Sequence, residues 1–186
     1  HKCTGSHGYV NLKDAMTMSC NIFFYEAVQK IRLDNLAKRS KALFHGLPTG
    51  IDLPNEMKGR VPDRAYMNKL YGTDGWSTGA LLNISIGQGE VLVTPVQMIA
   101  YINTIATYGN YNPIYIVKNE DRSAISTSIS KLTWKKINNY MRNVIIDQNG
   151  TGRLSDPRIS NLSIYGKTGT AENPHGEPHA WFIGYS

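Results

Sequence analysis

The chain has 186 residues, 41% apolar and 18% charged, with 17 Gly and 8 Pro dispersed along it; that composition buries a core and excludes a disordered or collagen-like chain. Its length is one domain or a large part of one, which excludes a multidomain machine. Twenty basic against 14 acidic residues give a net charge of +6, which favours anionic partners, yet only residues 38–41 and 135–136 cluster, and that scatter argues against nucleic acid.

From residue 11 to 31 the pattern is helical. Asn11 and Asp14 stand like a capping pair, apolar residues recur from Leu12 to Ile31, and a break near Ser19 divides the segment. A second amphipathic helix is expected over 33–44, ending at Gly46. Pro48, Gly50, Pro54, Gly59 and Pro62 then mark a long surface connection. Residues 72–89 are rich in Gly, Thr and Ser. Thr94 and Pro95 cap an apolar helix running to about Tyr108, stopped by Gly109 and Asn110. The longest apolar stretch, 91–102, is interrupted by Thr94, Pro95 and Gln97 and is too short to cross a bilayer.

Residues 111–117 alternate and are β-branched enough for a strand, 119–130 read as polar and turn-like, and a helix is expected over 133–146. Residues 149–152 form a turn. Strands over 162–171 and 180–185 are expected to pair as a hairpin across 172–179. With helices first and antiparallel strands last, the expected class is α+β.

Two local clusters carry chemistry. Gly166-Lys167-Thr168-Gly169-Thr170-Ala171 puts an amine, two hydroxyls and a glycine in mid-strand. Glycine is poor in strands unless something approaches closely, so this edge suits an anionic ligand; the competing reading is a solvent-facing strand with an incidental lysine. Ser19-Cys20-Asn21 lies at the helix break, where its hydroxyl and amide either project into a cleft or cap the second helix.

Taken together, Ser19-Cys20-Asn21, Thr49-Gly50-Ile51-Asp52-Leu53-Pro54, Ile86-Gly87-Gln88-Gly89 with Thr94-Pro95-Val96-Gln97, and Gly166 to Ala171 resemble the transpeptidase domain of class B penicillin-binding proteins. Within that family the resemblance is to the elongation type, called penicillin-binding protein 2. The resemblance covers essentially all of residues 1–186 and implies a helical subdomain beside an antiparallel sheet flanked by helices, with the active site between them. It implies acyl transfer on peptidoglycan stem peptides ending in D-Ala-D-Ala, acylation by β-lactams, and location on the periplasmic side of the bacterial inner membrane. Implied partners are an elongation glycosyltransferase and rod-shape proteins.

By the same resemblance Ser19 relays a proton toward the leaving amine, and Asn21 holds the substrate amide. Lys167 supplies positive potential, Thr168 and Thr170 bind the substrate carboxylate beside Gly169, and the Thr170 N–H forms half of the oxyanion hole. The family's nucleophile motif, Ser-X-X-Lys, belongs upstream of Ser19. The literal match Ser128-Ile129-Ser130-Lys131 falls after Ser-X-Asn and is read as chance. The chain is therefore expected to be part of a transpeptidase domain, lacking the nucleophile segment and the C-terminal helix and strand, and inactive alone. Other readings are a carboxypeptidase or β-lactamase, and a β-lactam sensor or catalytically silent interaction domain of the same fold.

Cys3, His7 and Cys20, with His1 as a fourth candidate, form a ligand set suited to tetrahedral zinc. A Cys3 to Cys20 disulfide and two plain thiols are the alternatives. Some elongation-type relatives carry zinc there, and the resemblance implies a structural ion pinning the preceding loop to Ser-X-Asn. No cofactor is expected in the chemistry itself. His175 and His179 lie among Pro174, Gly176 and Pro178 and read as loop residues.

Overall fold

A computed structural model describes residues 3, 5–73, 75–117 and 123–186. Among the described residues seven α-helices and two small antiparallel sheets follow in the order α1 (Leu12–Thr17), α2 (Asn21–Ile31), α3 (Leu33–Lys41), α4 (Arg64–Tyr71), α5 (Thr78–Ser85), α6 (Pro95–Ala106), β1 (Asn110–Tyr111), β2 (Ile125–Ser126), α7 (Lys131–Ile146), β3 (Tyr165–Ala171) and β4 (His179–Tyr185). The class is α+β, as expected.

Capping chemistry sets several boundaries. Asn11 Oδ1 accepts the Asp14 N–H at 3.0 Å and starts α1. Thr94 and Gln97 form a reciprocal capping box with Pro95 in the first turn of α6. Ser130 caps α7, which therefore begins two residues before the expected position.

Three expectations need correction. The helix expected to reach residue 44 ends at Lys41, where the chain tightens into turns with the Leu43 N–H on the Ser40 carbonyl and Phe44 at a positive φ of 69°. The connection that follows is not all surface: Thr49, Val61 and Pro62 are buried. Glu56 accepts the Thr49 N–H and hydroxyl at 2.7 Å each and the Gly50 N–H at 3.0 Å. Burial pushes the Glu56 carboxyl up, but these bonds outweigh it and hold the group below its ordinary value. Of the segment read as a strand, 111–117, only Tyr111 lies in β1, together with Asn110, one of the two residues expected to stop the preceding helix. Pro113 follows, and the Ile116 and Val117 N–H groups bind the Asp52 carboxylate at 2.6 and 2.8 Å. The partner β2 lies inside the segment read as turn-like, part of which, 119–122, lies outside the described residues.

Two apolar clusters hold the elements. Leu33, Met67 and Ile84 join α3, α4 and α5, while Ile105, Trp134 and Met141 join α6 and α7 with Tyr165 and Tyr185 of the hairpin packed against them. The hairpin forms with Tyr165 opposite Tyr185 and Ala171 opposite His179, and α7 lies across β3 and α1. Buried Asn138 serves this junction: its amide donates to the Ile105 and Trp134 carbonyls at 3.0 and 2.9 Å, and its oxygen accepts the Tyr185 hydroxyl.

Fully buried Gln97 does the same for the long connection. Its amide nitrogen reaches the carbonyls of Phe44, Leu47 and Lys58 at 3.0, 2.8 and 2.7 Å. Gln97→Leu leaves those carbonyls without their donor, and we expect a loss of about 3 kcal/mol, because each stranded buried acceptor costs about 1–3 kcal/mol. Urea unfolding checks this as a lower midpoint at unchanged slope.

Candidate active site

The break between α1 and α2 is sharp because Cys20 N–H returns to the Ala15 carbonyl at 2.8 Å and Ser19 takes a positive φ of 53°. A non-glycine residue in that region is uncommon and marks a position held by its surroundings. Ser19 does not cap α2. Cys20 occupies the cap position and makes no side-chain cap bond, while the Ser19 hydroxyl accepts the Lys167 ammonium from β3. Residues 148 apart in sequence are thus in direct contact, and Asn21, the first residue of α2, lines the same cleft.

The cleft has a volume of about 730 Å³ and also exposes Phe24, Gln88 and Thr151. Its long wall is the edge of β3 that β4 leaves free. Thr168 and Thr170 turn their carbonyls to that side, where the Lys167 ammonium takes the first at 2.8 Å and the Gln88 amide takes the second at 2.8 Å. Gln88 also accepts the Glu172 N–H at 3.1 Å, so a single side-chain amide pairs with the strand as a neighbouring backbone would. A Cβ built on Gly169 meets only Trp181 Cβ at 3.5 Å, an ordinary contact. The fold does not demand glycine there, and Gly169 lines the cleft.

Burial lowers the Lys167 pKa to about 8, because the desolvated ammonium loses hydration. The Thr168 hydroxyl shares a 2.7 Å bond with that of Thr151. The arrangement brings an ammonium, the hydroxyls of Ser19, Thr151, Thr168 and Thr170 and the amides of Asn21 and Gln88 to one cleft, a set that can bind a carboxylate and move a proton beside it.

Next to this cleft the Cys3 sulfur lies 3.3 Å from His7 Nδ1 and 4.0 Å from the Cys20 sulfur. A disulfide needs about 2.05 Å; at their 4.0 Å separation both cysteines stand as free thiols in this structure. All three donor atoms lie within 4.8 Å of one another. Burial pushes the Cys3 thiol up, but the N–H groups of Gly5, Asn21 and Ile22 and the Cys20 thiol outweigh it, and its pKa is lowered. His1 lies outside the described residues. Among the described residues His175 and His179 join no such group.

The model of the penicillin binding protein transpeptidase domain family matches residues 1–186. The chain belongs to this family. It is 28% identical over 211 residues to the peptidoglycan D,D-transpeptidase MrdA of Haemophilus influenzae, covering all of this chain and 32% of that protein. It superposes with a TM-score of 0.87 on the penicillin-binding protein PBP2 of Helicobacter pylori, solved in complex with MreC, at 32% identity and over 97% of this chain and 34% of that one. A structure described as showing coordination of polymerization and crosslinking by a peptidoglycan synthase complex gives 0.84 at 30% identity, over 100% of this chain and 33% of that one. The transpeptidase domain described here thus spans about a third of the length of these relatives.

Of the residues singled out from sequence, the structure brings Ser19, Asn21, Lys167, Thr168, Gly169 and Thr170 to one cleft and Cys3, His7 and Cys20 to another cluster beside it. Ser128 is exposed, Ser130 is the α7 cap, and Lys131 lines a different hollow with Thr107 and Lys135. Sequence reading gave no role to Thr151 or Gln88. The signal available was each one's place in a glycine-flanked turn that a resemblance or a tertiary contact must complete.

Proposed function

We propose that this domain serves a serine D,D-transpeptidase that cross-links peptidoglycan stem peptides in cell-wall elongation on the periplasmic side of the inner membrane. The observation that carries the reading is the contact between Ser19 and Lys167 in a cleft shared with Asn21 and the free edge of β3. The nucleophile is the serine of a Ser-X-X-Lys motif upstream of Ser19, and Ser128 takes no part. That serine oxygen attacks the carbonyl of the penultimate D-Ala, the peptide C–N bond breaks, and D-Ala leaves with a proton relayed through Ser19. An amine of a neighbouring strand then attacks the ester, forming the new amide, and the serine recovers its proton.

Asn21 orients the donor amide. Lys167 supplies positive potential at the developing oxyanion and the terminal carboxylate, which the Thr168 and Thr170 hydroxyls bind, and the Thr170 N–H donates to the oxyanion. The MreC complex and the synthase complex among the similar structures support a rod-shape protein and a glycosyltransferase as partners.

Cys3, His7 and Cys20 would hold a structural zinc ion. The fit rests on the donor chemistry: two thiols and an imidazole converge, and sulfurs bound to one tetrahedral zinc at about 2.3 Å stand about 3.8 Å apart, close to the 4.0 Å observed. Bound there, zinc would supply a fixed link between the loop at residues 3–7 and the Ser19-Cys20-Asn21 turn.

The test is the intact mass of the full-length protein before and after benzylpenicillin, with peptide mapping. One adduct on a serine upstream of Ser19 is expected. An adduct on Ser128 would overturn the motif assignment, and no adduct on folded protein would turn the reading to a silent domain of the same fold.

A further inference from the structure

The turn that follows α7 carries Thr151 into the active-site cleft. Three backbone bonds seat it: Gly150 N–H on the Asp147 carbonyl at 2.9 Å, Thr151 N–H on the Thr17 carbonyl at 3.1 Å, and Gly152 N–H on the Val144 carbonyl at 3.0 Å. Glycine is required at 150, since a Cβ there would stand 2.3 Å from the Val144 carbonyl oxygen, whereas one at Gly152 would meet most closely the movable end of Ile145, Cδ1, at 2.8 Å. The turn is therefore fixed without help from the Thr151 side chain. That side chain points its hydroxyl at Thr168, 2.7 Å away, in an exposed bond that adds little to the fold.

A hydroxyl has one proton to donate and two lone pairs to accept with. An anion bound at Thr168 must receive that residue's only proton, so the Thr151 hydroxyl has to be the donor between the two. Donation from Thr151 polarises the Thr168 O–H and fixes its direction. Lys167 and Ser19 line the same cleft, so the site where this proton emerges is electropositive. We propose that Thr151 is a positioning residue that aims the Thr168 hydroxyl at the terminal carboxylate of the acyl donor. The inference rests on the transpeptidase reading above and adds a residue that recognises the charge of the substrate's end through Thr168.

The experiment compares acylation of the full-length protein by benzylpenicillin and by its methyl ester, whose carboxylate is masked. Thr151→Val should slow benzylpenicillin about tenfold, the effect of losing about 1.4 kcal/mol of ordered hydrogen bonding, and leave the ester within about twofold, a difference well below that. Thr151→Ser should keep the unmodified rates. The ratio of acid to ester rates on one preparation does not depend on how much of the variant is folded. Equal losses on both compounds would mean a structural role and overturn the proposal, as would no loss on either. If the unmodified protein is acylated by neither compound, the transpeptidase reading itself falls, a failure visible before any variant is made.

Discussion

Lys167→Ala in the full-length protein is expected to slow acylation by benzylpenicillin by about 10²-fold or more, the scale seen when a group stabilising an oxyanion is removed. The substitution removes the ammonium that contacts Ser19 and the Thr168 carbonyl, which in the proposed mechanism leaves the proton relay without its partner and the carboxylate site without its charge. Lys167→Arg should recover part of the rate, since charge survives but a planar fork replaces a compact ammonium.

The pH profile gives a second readout of the same group. With its pKa lowered to about 8 by burial, Lys167 loses its charge as pH rises through that value, so the second-order acylation rate should fall above about pH 8. Arginine at 167 should abolish this inflection, and a profile flat to pH 10 in the unmodified protein would remove Lys167 from its role. The stability effect has the opposite sign. A lysine depressed in the folded state binds fewer protons folded than unfolded between about 8 and its ordinary value near 10.4. Its burial therefore costs stability below pH 8, and the cost is relieved as pH rises through that window.

Some elements whose ends carry their own chemistry were legible in the sequence. Asn11 and the Thr94 and Pro95 pair name α1 and α6, because caps act within a few residues, and the last two strands on either side of a turn-rich stretch name the hairpin. Helices α4 and α5 were not legible. Residues 72–89 read as Gly, Thr and Ser-rich, and what makes 78–85 helical is the Ser77 cap together with packing of α5 on α2 and of Ile84 in the Leu33 and Met67 cluster. Tertiary contact overrides a weak propensity there. Residues 112–117 failed as a strand for a like reason: the N–H groups that a sheet would have paired go to Asp52, 64 and 65 positions upstream.

The candidate site divides the same way. Ser19 and Lys167 are each commonplace in isolation, and no local rule joins residues 148 apart; only the ordered set of motifs in the family resemblance did. Gln88 and Thr151 act through partners 82 and 17 residues away. Each reads locally as a polar residue in a glycine turn, and neither contact leaves a periodic trace.

Removal of metal should show whether the Cys3, His7 and Cys20 cluster is a structural centre. The purified full-length protein is expected to contain about one zinc per chain, and a strong chelator should lower its melting temperature by about 4 °C or more, since a stabilising ligand lost is stability lost. Cys20→Ser should abolish zinc binding and reproduce the shift. It replaces a thiolate by a poor ligand while leaving the helix break intact, because the Cys20 side chain makes no capping bond to α2. The expected reach extends to the cleft: Cys20 lies between Ser19 and Asn21, and the Cys3 sulfur draws on the Asn21 N–H. Loosening the cluster should therefore slow acylation together with the fall in melting temperature, and restoring zinc should restore both. Native protein with no metal and a melting temperature indifferent to chelator would leave two free thiols beside the active site and no centre. A chelator shift that survives in Cys20→Ser would move the ion to other residues.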